Sequence, residues 1–326
     1  MAAQASPAPE LALPDVAAIR AAAARIAAHV VRTPMVRSDA LDRLAGATLS
    51  WKCENLQPVG AFKARGACNA VFSLDEASAA RGVATHSSGN HGAALAYAAQ
   101  RRGIPAWVVM PENAPRAKQE NVRRYGATIR FCAPNVPARE TVCAAVLAET
   151  GARLIHPFDD VDVIAGQGTA TLELLADDPT LEAVVAPCGG GGLLSGSAIA
   201  AHGVRATIRV YGTEPAEAGD AAAGFRAGHM MPAPTTHTIA DGLRSGTSPR
   251  TFSALRAHVT DFATCSEAAI VRAMRLMWEH LRIVAEPSSA VPLACLLEGT
   301  LDLRGARAAV IVTGGNVDLD RLPWQA

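Results

Sequence analysis

Ala183-Val-Val-Ala-Pro-Cys-Gly-Gly-Gly-Gly-Leu-Leu-Ser-Gly196 runs from a short apolar segment through four consecutive glycines into an Ala-rich stretch. A brief apolar run bounded by turn formers predicts a buried strand, and the residues after the glycines carry a helix pattern. Two other segments share this form: Gly82-Val-Ala-Thr-His86 leads into Ser87-Ser-Gly-Asn90, and Ala106-Trp-Val-Val-Met110 leads into Pro111. Apolar runs at Ile208 to Tyr211 and Ala308 to Val312 continue the alternation. Strand, turn and helix in repeated succession predict an α/β fold on parallel sheet.

Outward from these units, Asp15 to Val31 is Ala-rich, with Val16, Ile19, Ile26 and Val30 near helical spacing. It predicts an outer helix stopped by Arg32-Thr33-Pro34. No repeat of solenoid period and no low-complexity linker divides the chain. Crossings between two lobes are expected near Arg81 and Asp160, making 1–81 plus 160–326 a large domain and 82–159 a small one.

The chain has 326 residues, half of them hydrophobic, enough for one large core or two modest ones sharing a cleft. Thirty basic residues balance thirty acidic ones, so no net field gathers nucleic acid or an anionic membrane, and a small molecule is the expected partner. The seven cysteines are scattered without a C-x-x-C pair. They read as reduced, mostly buried thiols of a cytoplasmic protein, not as a disulfide framework or zinc site. The N-terminus lacks a basic start and a sustained apolar stretch, and no later run is suited to span a bilayer, so neither export nor membrane anchoring is expected.

Of the thirty basic residues, twenty-seven are arginine and only Lys52, Lys63 and Lys118 are lysine. Arginine cannot replace lysine where an amine must lose its proton and act as a nucleophile. Lys63 lies in Pro58-Val-Gly-Ala-Phe-Lys-Ala-Arg-Gly66, a tight and partly apolar setting that would desolvate the amine and lower its pKa. The other reading of this segment is a lysine opening a solvent-facing helix. Lys52 sits in a strand-like run beside Trp51, and Lys118 follows Arg116 on a polar helix.

Three other segments could carry chemistry. Glycines preceding a helix let backbone N–H groups and the helix dipole hold an anion, which makes Gly189 to Gly192 a phosphate site. The competing reading is a dinucleotide fold: Gly190 and Gly192 begin a G-x-G pattern and Glu214 lies about twenty residues on, although Ser195 stands where the third glycine belongs. Ser87-Ser-Gly-Asn-His-Gly92 is either a carboxylate cradle at a strand's C-terminal edge or an ordinary helix cap. Thr313, in Val310-Ile-Val-Thr-Gly-Gly-Asn316, either meets a ligand ring nitrogen or simply ends a strand.

These segments, in this order, resemble the serine racemase and serine/threonine dehydratase family of fold-type II pyridoxal-phosphate (PLP) enzymes, related to the β-subunit of tryptophan synthase. The matching residues cover nearly the whole chain. They are Thr33-Pro34, Lys52-x-Glu54-Asn55, Gly60-Ala-Phe-Lys-Ala-Arg-Gly66, Thr85-His-Ser-Ser-Gly-Asn-His91, Gly189 to Gly192, Glu286-Pro-Ser-Ser-Ala290 and Thr313-Gly-Gly-Asn-Val-Asp318. The Arg282 to Leu293 block and the Val-Asp-Leu-Asp ending are similar to bacterial 3-hydroxyaspartate dehydratases.

The resemblance implies two parallel-sheet lobes with PLP in the cleft, and Lys63 as the residue that bonds the cofactor and moves the substrate's α-proton. It implies Phe62 beside the ring, Asn90 on the ring 3-hydroxyl, Gly189, Gly190, Gly191 and Gly192 on the phosphate, and Thr313 facing the pyridine nitrogen. Ser87, Ser88, Asn90 and His91 would bind the substrate carboxylate. Ser88 matches the serine that serves racemases as acid on the opposite cofactor face. Arg139, whose other reading is a surface arginine paired with Glu140 or Glu149, would take the distal carboxylate of a diacid, with Arg244 a second candidate assisted by Ser245. Glu214, Asp220 and the carbonyl of Ala218 resemble a site for Mg²⁺, or for Ca²⁺ or Mn²⁺.

The expected reaction is loss of water and ammonia from 3-hydroxyaspartate, serine or threonine, with serine or aspartate racemisation as the alternative on the same site. A nucleotide-dependent oxidoreductase is the more distant alternative. A homodimer is expected from the family.

Overall fold

The computed structural model describes residues 11–87, 89–114, 116–232 and 237–325, with backbone alone at 117 and 136. Its strands form two sheets. The larger uses β1 (Met35–Val36), β2 (Thr48–Cys53), β7 (Ala183–Pro187), β8 (Arg209–Pro215), β9 (Asp261–Cys265) and β10 (Arg307–Val312), in the order β1-β2-β10-β7-β8-β9. Only the short edge strand β1 runs antiparallel to its neighbour; the other pairs are parallel, with Val185 opposite Val310 and Tyr211. The smaller sheet is wholly parallel: β3 (Val83–Thr85), β4 (Ala106–Pro111), β5 (Thr128–Cys132) and β6 (Arg153–Leu154), ordered β5-β4-β3-β6. The segments Ala183 to Ala186 and Ala308 to Val312 are buried on every residue. Such continuous apolar strands are what a parallel sheet covered on both faces selects.

The site-bearing helices pack through small residues. A Cβ on Gly196 would stand 2.3 Å from the carbonyl oxygen of Ile164, and one on Gly168 would stand 2.6 Å from that of Gly196. The helices Val161–Asp177 and Gly192–Val204 therefore touch backbone to backbone. Their contact fixes the height at which the glycine run meets the cleft.

Beneath the Lys63–Phe72 helix lies a buried charge network. The Arg65 guanidinium grips Glu54 through Nε (2.6 Å) and Nη2 (2.8 Å), and Glu173 through Nη1 and Nη2 (both 2.8 Å). Lys52 Nζ completes it on Glu173 (2.6 Å) and the carbonyl of Thr33 (2.7 Å). Two cations balance two anions, and removing one member would cost about 3–5 kcal/mol by stranding a buried charge. This network anchors the first turn of the helix that begins at Lys63.

The outer helix spans Val16–Ile26, capped by Asp15, and stops short of the expected Val31. Gln57 draws the chain away: its Oε1 accepts from Val31 N (2.9 Å) and its Nε2 donates to Val31 O (2.7 Å). All seven cysteines are free and buried. Among the described residues no helix is long and apolar enough to cross a membrane.

Candidate active site

Lys63 opens its helix directly after a left-handed turn at Val59 and Gly60. A β-branched residue at φ 63 is strained, and the neighbours hold it there. Gly60 N donates to Gln57 O, Gly315 N to Gly60 O and Phe62 N to Thr313 O. Lys63 is partly buried; its Nζ donates to Pro157 O at 2.8 Å and stands 5.0 Å from the centre of the Phe62 ring. Burial lowers its pKa to about 8, against the opposing pull of the Glu286 carboxylate. The solvent-facing reading of Lys63 is thereby corrected. Lys52 and Lys118 are instead engaged, the latter with Asp241 at 2.6 Å.

The glycine run supplies an anion cradle. Gly191, at φ 86, ends the turn and caps the Gly192–Val204 helix. Gly189 to Gly192 are buried, and among the described residues their amides donate no hydrogen bond. Four unsatisfied buried donors at a helix N-terminus call for an anionic acceptor, as a phosphate provides. Phe158 closes one side: a Cβ on Gly190 would lie 2.2 Å from its ring. The dinucleotide reading fails on Glu214. That carboxylate turns onto the amides of Ala221 (3.3 Å) and Ala222 (2.7 Å) and is not presented to a ribose.

From the smaller lobe, the Asn90–Arg102 helix brings Asn90 and His91. Asn90 Nδ2 lies 3.1 and 3.2 Å from the two oxygens of Glu286, and its Oδ1 accepts from Asn316 Nδ2 at 2.9 Å. Burial holds the His91 imidazole well below its ordinary pKa, so it is neutral. Its Nε2 faces Ile155 O at 3.1 Å and must carry the proton. Nδ1 is then a bare acceptor, so in this state His91 offers a carboxylate no ring donor. Ser87 lies just ahead of that helix, its hydroxyl oxygen accepting from Gly89 N at 3.4 Å. Ser88 lies outside the described residues.

Thr313 is buried at the end of β10, its Oγ1 2.9 Å from Ser289 Oγ. The Ser289 hydroxyl is held in turn by the amide and carbonyl of Gly314. Arg139 lies in the Val136–Thr150 helix, close enough to His86 that, after burial, its charge helps lower that imidazole's pKa. There it lines a cavity of about 300 Å³ with Asn113, Cys132 and Asn135. Glu149 pairs with Arg130, not with Arg139. The Arg139 Nε is buried without a partner. Arg244 folds back onto Thr238 O (3.0 and 2.5 Å), and Ser245 is exposed beside it.

Glu214 and Asp220 are buried and lie close enough for the Asp220 charge to act on Glu214, with Ala218 buried between them in sequence. Burial raises Glu214 to about 8 and Asp220 to about 6, and each feels the other or its own cage of dipoles less than the loss of water. Both Asp220 oxygens are buried; the amides of Asp220 and Thr247 lie near them without completing a hydrogen bond. Among the described residues no group of three or more His, Cys, Asp or Glu is arranged so as to hold a metal ion.

Sequence reasoning did not single out Pro157, Phe158, Ser289 or the role of Glu286. The signal for Glu286 was an acid placed immediately before a Pro-Ser-Ser helix start.

A cleft with a desolvated lysine, four free glycine amides and an amide-bearing helix defines a class. The chain belongs to the pyridoxal-phosphate dependent enzyme family, whose model matches residues 26–314. It is 53% identical to the beta-hydroxyaspartate dehydratase of Paracoccus denitrificans (strain Pd 1222), over 93% of this chain and 96% of that one. It is 44% identical to the serine racemase of Oryza sativa subsp. japonica, over 96% and 93%. Among solved structures, maize serine racemase superimposes with a TM-score of 0.93 at 44% identity, covering 96% of this chain and 97% of that chain. The serine racemase of Dictyostelium discoideum gives 0.91 at 42%, covering 94% and 100%.

Proposed function

We propose that this chain is a PLP-dependent dehydratase, an ammonia-lyase that turns a 3-hydroxy amino acid into a 2-oxo acid and ammonia. The observation that carries the reading is the Lys63 amine, with a pKa lowered to about 8, at a cleft edged by unsatisfied glycine amides. The 53% identity to a protein named beta-hydroxyaspartate dehydratase makes 3-hydroxyaspartate the first substrate to test, ahead of serine and threonine.

PLP, when bound, supplies a conjugated ring that withdraws electrons from a substrate's α-carbon. Lys63 would hold it, Gly189 to Gly192 its phosphate, Asn90 its ring hydroxyl and Thr313 its ring nitrogen, with Phe62 alongside. A hydroxyl at the ring nitrogen, itself backed only by Ser289, brings no carboxylate to protonate that atom. The Lys63 amine is the group that takes the α-proton, since a base of pKa near 8 is neutral in useful amount at neutral pH. Ser87, Ser88 and the backbone amide of Asn90, the first of its helix, would receive the α-carboxylate, with His91 next to them in the chain. Arg139 would take the distal carboxylate of a diacid, a role suited to a guanidinium with an unused donor.

Glu214, Asp220 and the Ala218 carbonyl fit a hard divalent cation, which would compensate two carboxyl groups whose pKa burial raises. Residues 82–159 would close as one lobe against 1–81 plus 160–326 and exclude water. A cytoplasmic homodimer completes the reading.

The test is oxo-acid and ammonia release with PLP and Mg²⁺ on the stereoisomers of 3-hydroxyaspartate, serine and threonine, with Lys63→Ala as control. Turnover of any of them, absent in the variant, supports the proposal. Enantiomer interconversion without ammonia would make the chain a racemase, the reading that the 44% identity to rice serine racemase favours second.

A further inference from the structure

Asn90, Glu286, Asn316 and Val59 form a closed chain of hydrogen bonds whose donors and acceptors can be assigned by elimination. The Val59 carbonyl can only accept, so the Asn316 atom 2.8 Å from it is nitrogen. The second hydrogen on that nitrogen then goes to Asn90, whose facing atom, 2.9 Å away, must be Oδ1. Independently, the ionised Glu286 can only accept, so the Asn90 atom 3.1 and 3.2 Å from its two oxygens is Nδ2. Glu286 is itself held: its Oε2 accepts from Asn316 N at 3.2 Å, and a Cβ on Gly314 would lie 2.6 Å from Oε1. Val59, whose carbonyl accepts from Asn316, has a left-handed backbone with φ 63.

We propose that Glu286 is a positioning residue that, with Asn316, locks the Asn90 amide in one flip, so that Asn90 meets the PLP ring oxygen as an N–H donor. The inference rests on PLP occupying this cleft. A donor at that position favours the ionised ring oxygen, and with it the violet-absorbing form of the bound cofactor over the near-ultraviolet form.

The charged groups facing Glu286 are Lys63, Asp241 and Lys118. Burial, with Asp241 adding to it, raises Glu286 to about 7. Its protonation removes the constraint on Asn90 from the carboxylate side, so the lock should loosen as pH falls through that value. Glu286→Gln keeps an acceptor oxygen but nothing that titrates.

The experiment is an absorbance spectrum of the holoprotein from pH 6 to pH 9 for the wild type, Glu286→Gln, Glu286→Ala and Asn316→Ala, with PLP content measured separately after denaturation and its affinity by titration of the apoprotein. The wild type should lose violet absorbance toward low pH with a midpoint near 7. The Gln variant should keep most of the band and lose that pH dependence. The Ala variants should retain bound PLP with about tenfold weaker affinity and a band moved toward the near ultraviolet. Spectra and pH profiles identical in all four proteins at full PLP content would overturn the role of Glu286 while leaving the proposed function standing. A wild type that takes up no PLP would overturn both.

Discussion

The amine of Lys63 donates to the carbonyl oxygen of Pro157 across 2.8 Å, joining two residues 94 positions apart. Pro157 belongs to the segment that leads from the small sheet back to the large one, and Phe158 after it lies against Gly190 and Gly192. Two adjacent residues thus touch both the lysine and the glycine cradle.

Burying the Lys63 amine costs the fold stability. The folded-state pKa of about 8 lies below the ordinary lysine value of about 10.4, so between those values the unfolded chain binds more protons and stability rises with pH. At pH 7 the penalty is present in full. Lys63→Met should abolish turnover and raise the Tm of the apoprotein at pH 7, with the gain shrinking toward pH 10. Paired thermal melts at the two pH values check it.

Gly190→Ala places a methyl group where the Phe158 ring already is. Overpacking of this kind costs about 1–3 kcal/mol, and the cradle should lose at least tenfold in PLP affinity. Gly190→Ala combined with Phe158→Ala should recover part of that loss. A double-mutant cycle on PLP titration reads the coupling directly.

Glu214 and Asp220 make a signed prediction about cations. Without a cation their folded pKa values of about 8 and about 6 exceed the unfolded ones of about 4, so the folded state binds more protons and stability is lost as pH rises between those limits. Chelator-treated protein should melt lower at pH 8 than at pH 5.5. Saturating Mg²⁺ or Ca²⁺ should raise the Tm more at pH 8, the stabilisation approaching about 2.7 kcal/mol at a hundredfold excess over Kd. Glu214→Gln should remove most of both effects.

Much of this architecture is legible in the chain because its signals are local. Four glycines between an apolar run and a helix announce the cradle without reference to anything distant. The scarcity of lysine narrows the candidate nucleophiles to three, and the tight, partly apolar setting of Lys63 singles it out. The features that escaped are those made by tertiary encounter. Phe158 reads as an ordinary aromatic until β6 delivers it to glycines some thirty residues on. The partnership of Glu286 with Asn90 spans 196 positions. The early stop of the first helix at Ile26 comes from the Gln57 amide, a residue in another element that binds both polar groups of the Val31 backbone.

In the proposed reading, Arg139 would separate a diacid substrate from a monoacid one. Its Nε has no partner, so a distal carboxylate would gain a donor at no cost to the fold. Arg139→Ala should lower kcat/KM for the preferred 3-hydroxyaspartate isomer by about 10–100-fold, as expected for a lost bond to a charged group. For serine it should change little. Equal losses on both substrates would return Arg139 to a structural role.

Everything proposed for the cleft turns on Lys63 carrying the cofactor, and with only three lysines in the chain a single mapping experiment tests it. The holoprotein is reduced with borohydride, which fixes PLP to the amine that holds it, then digested and analysed by mass spectrometry. One phosphopyridoxyl adduct is expected, on the peptide containing Lys63, because Lys52 is bound to Glu173 and Lys118 to Asp241. An adduct on either of those lysines, or none from protein saturated with PLP, would contradict it.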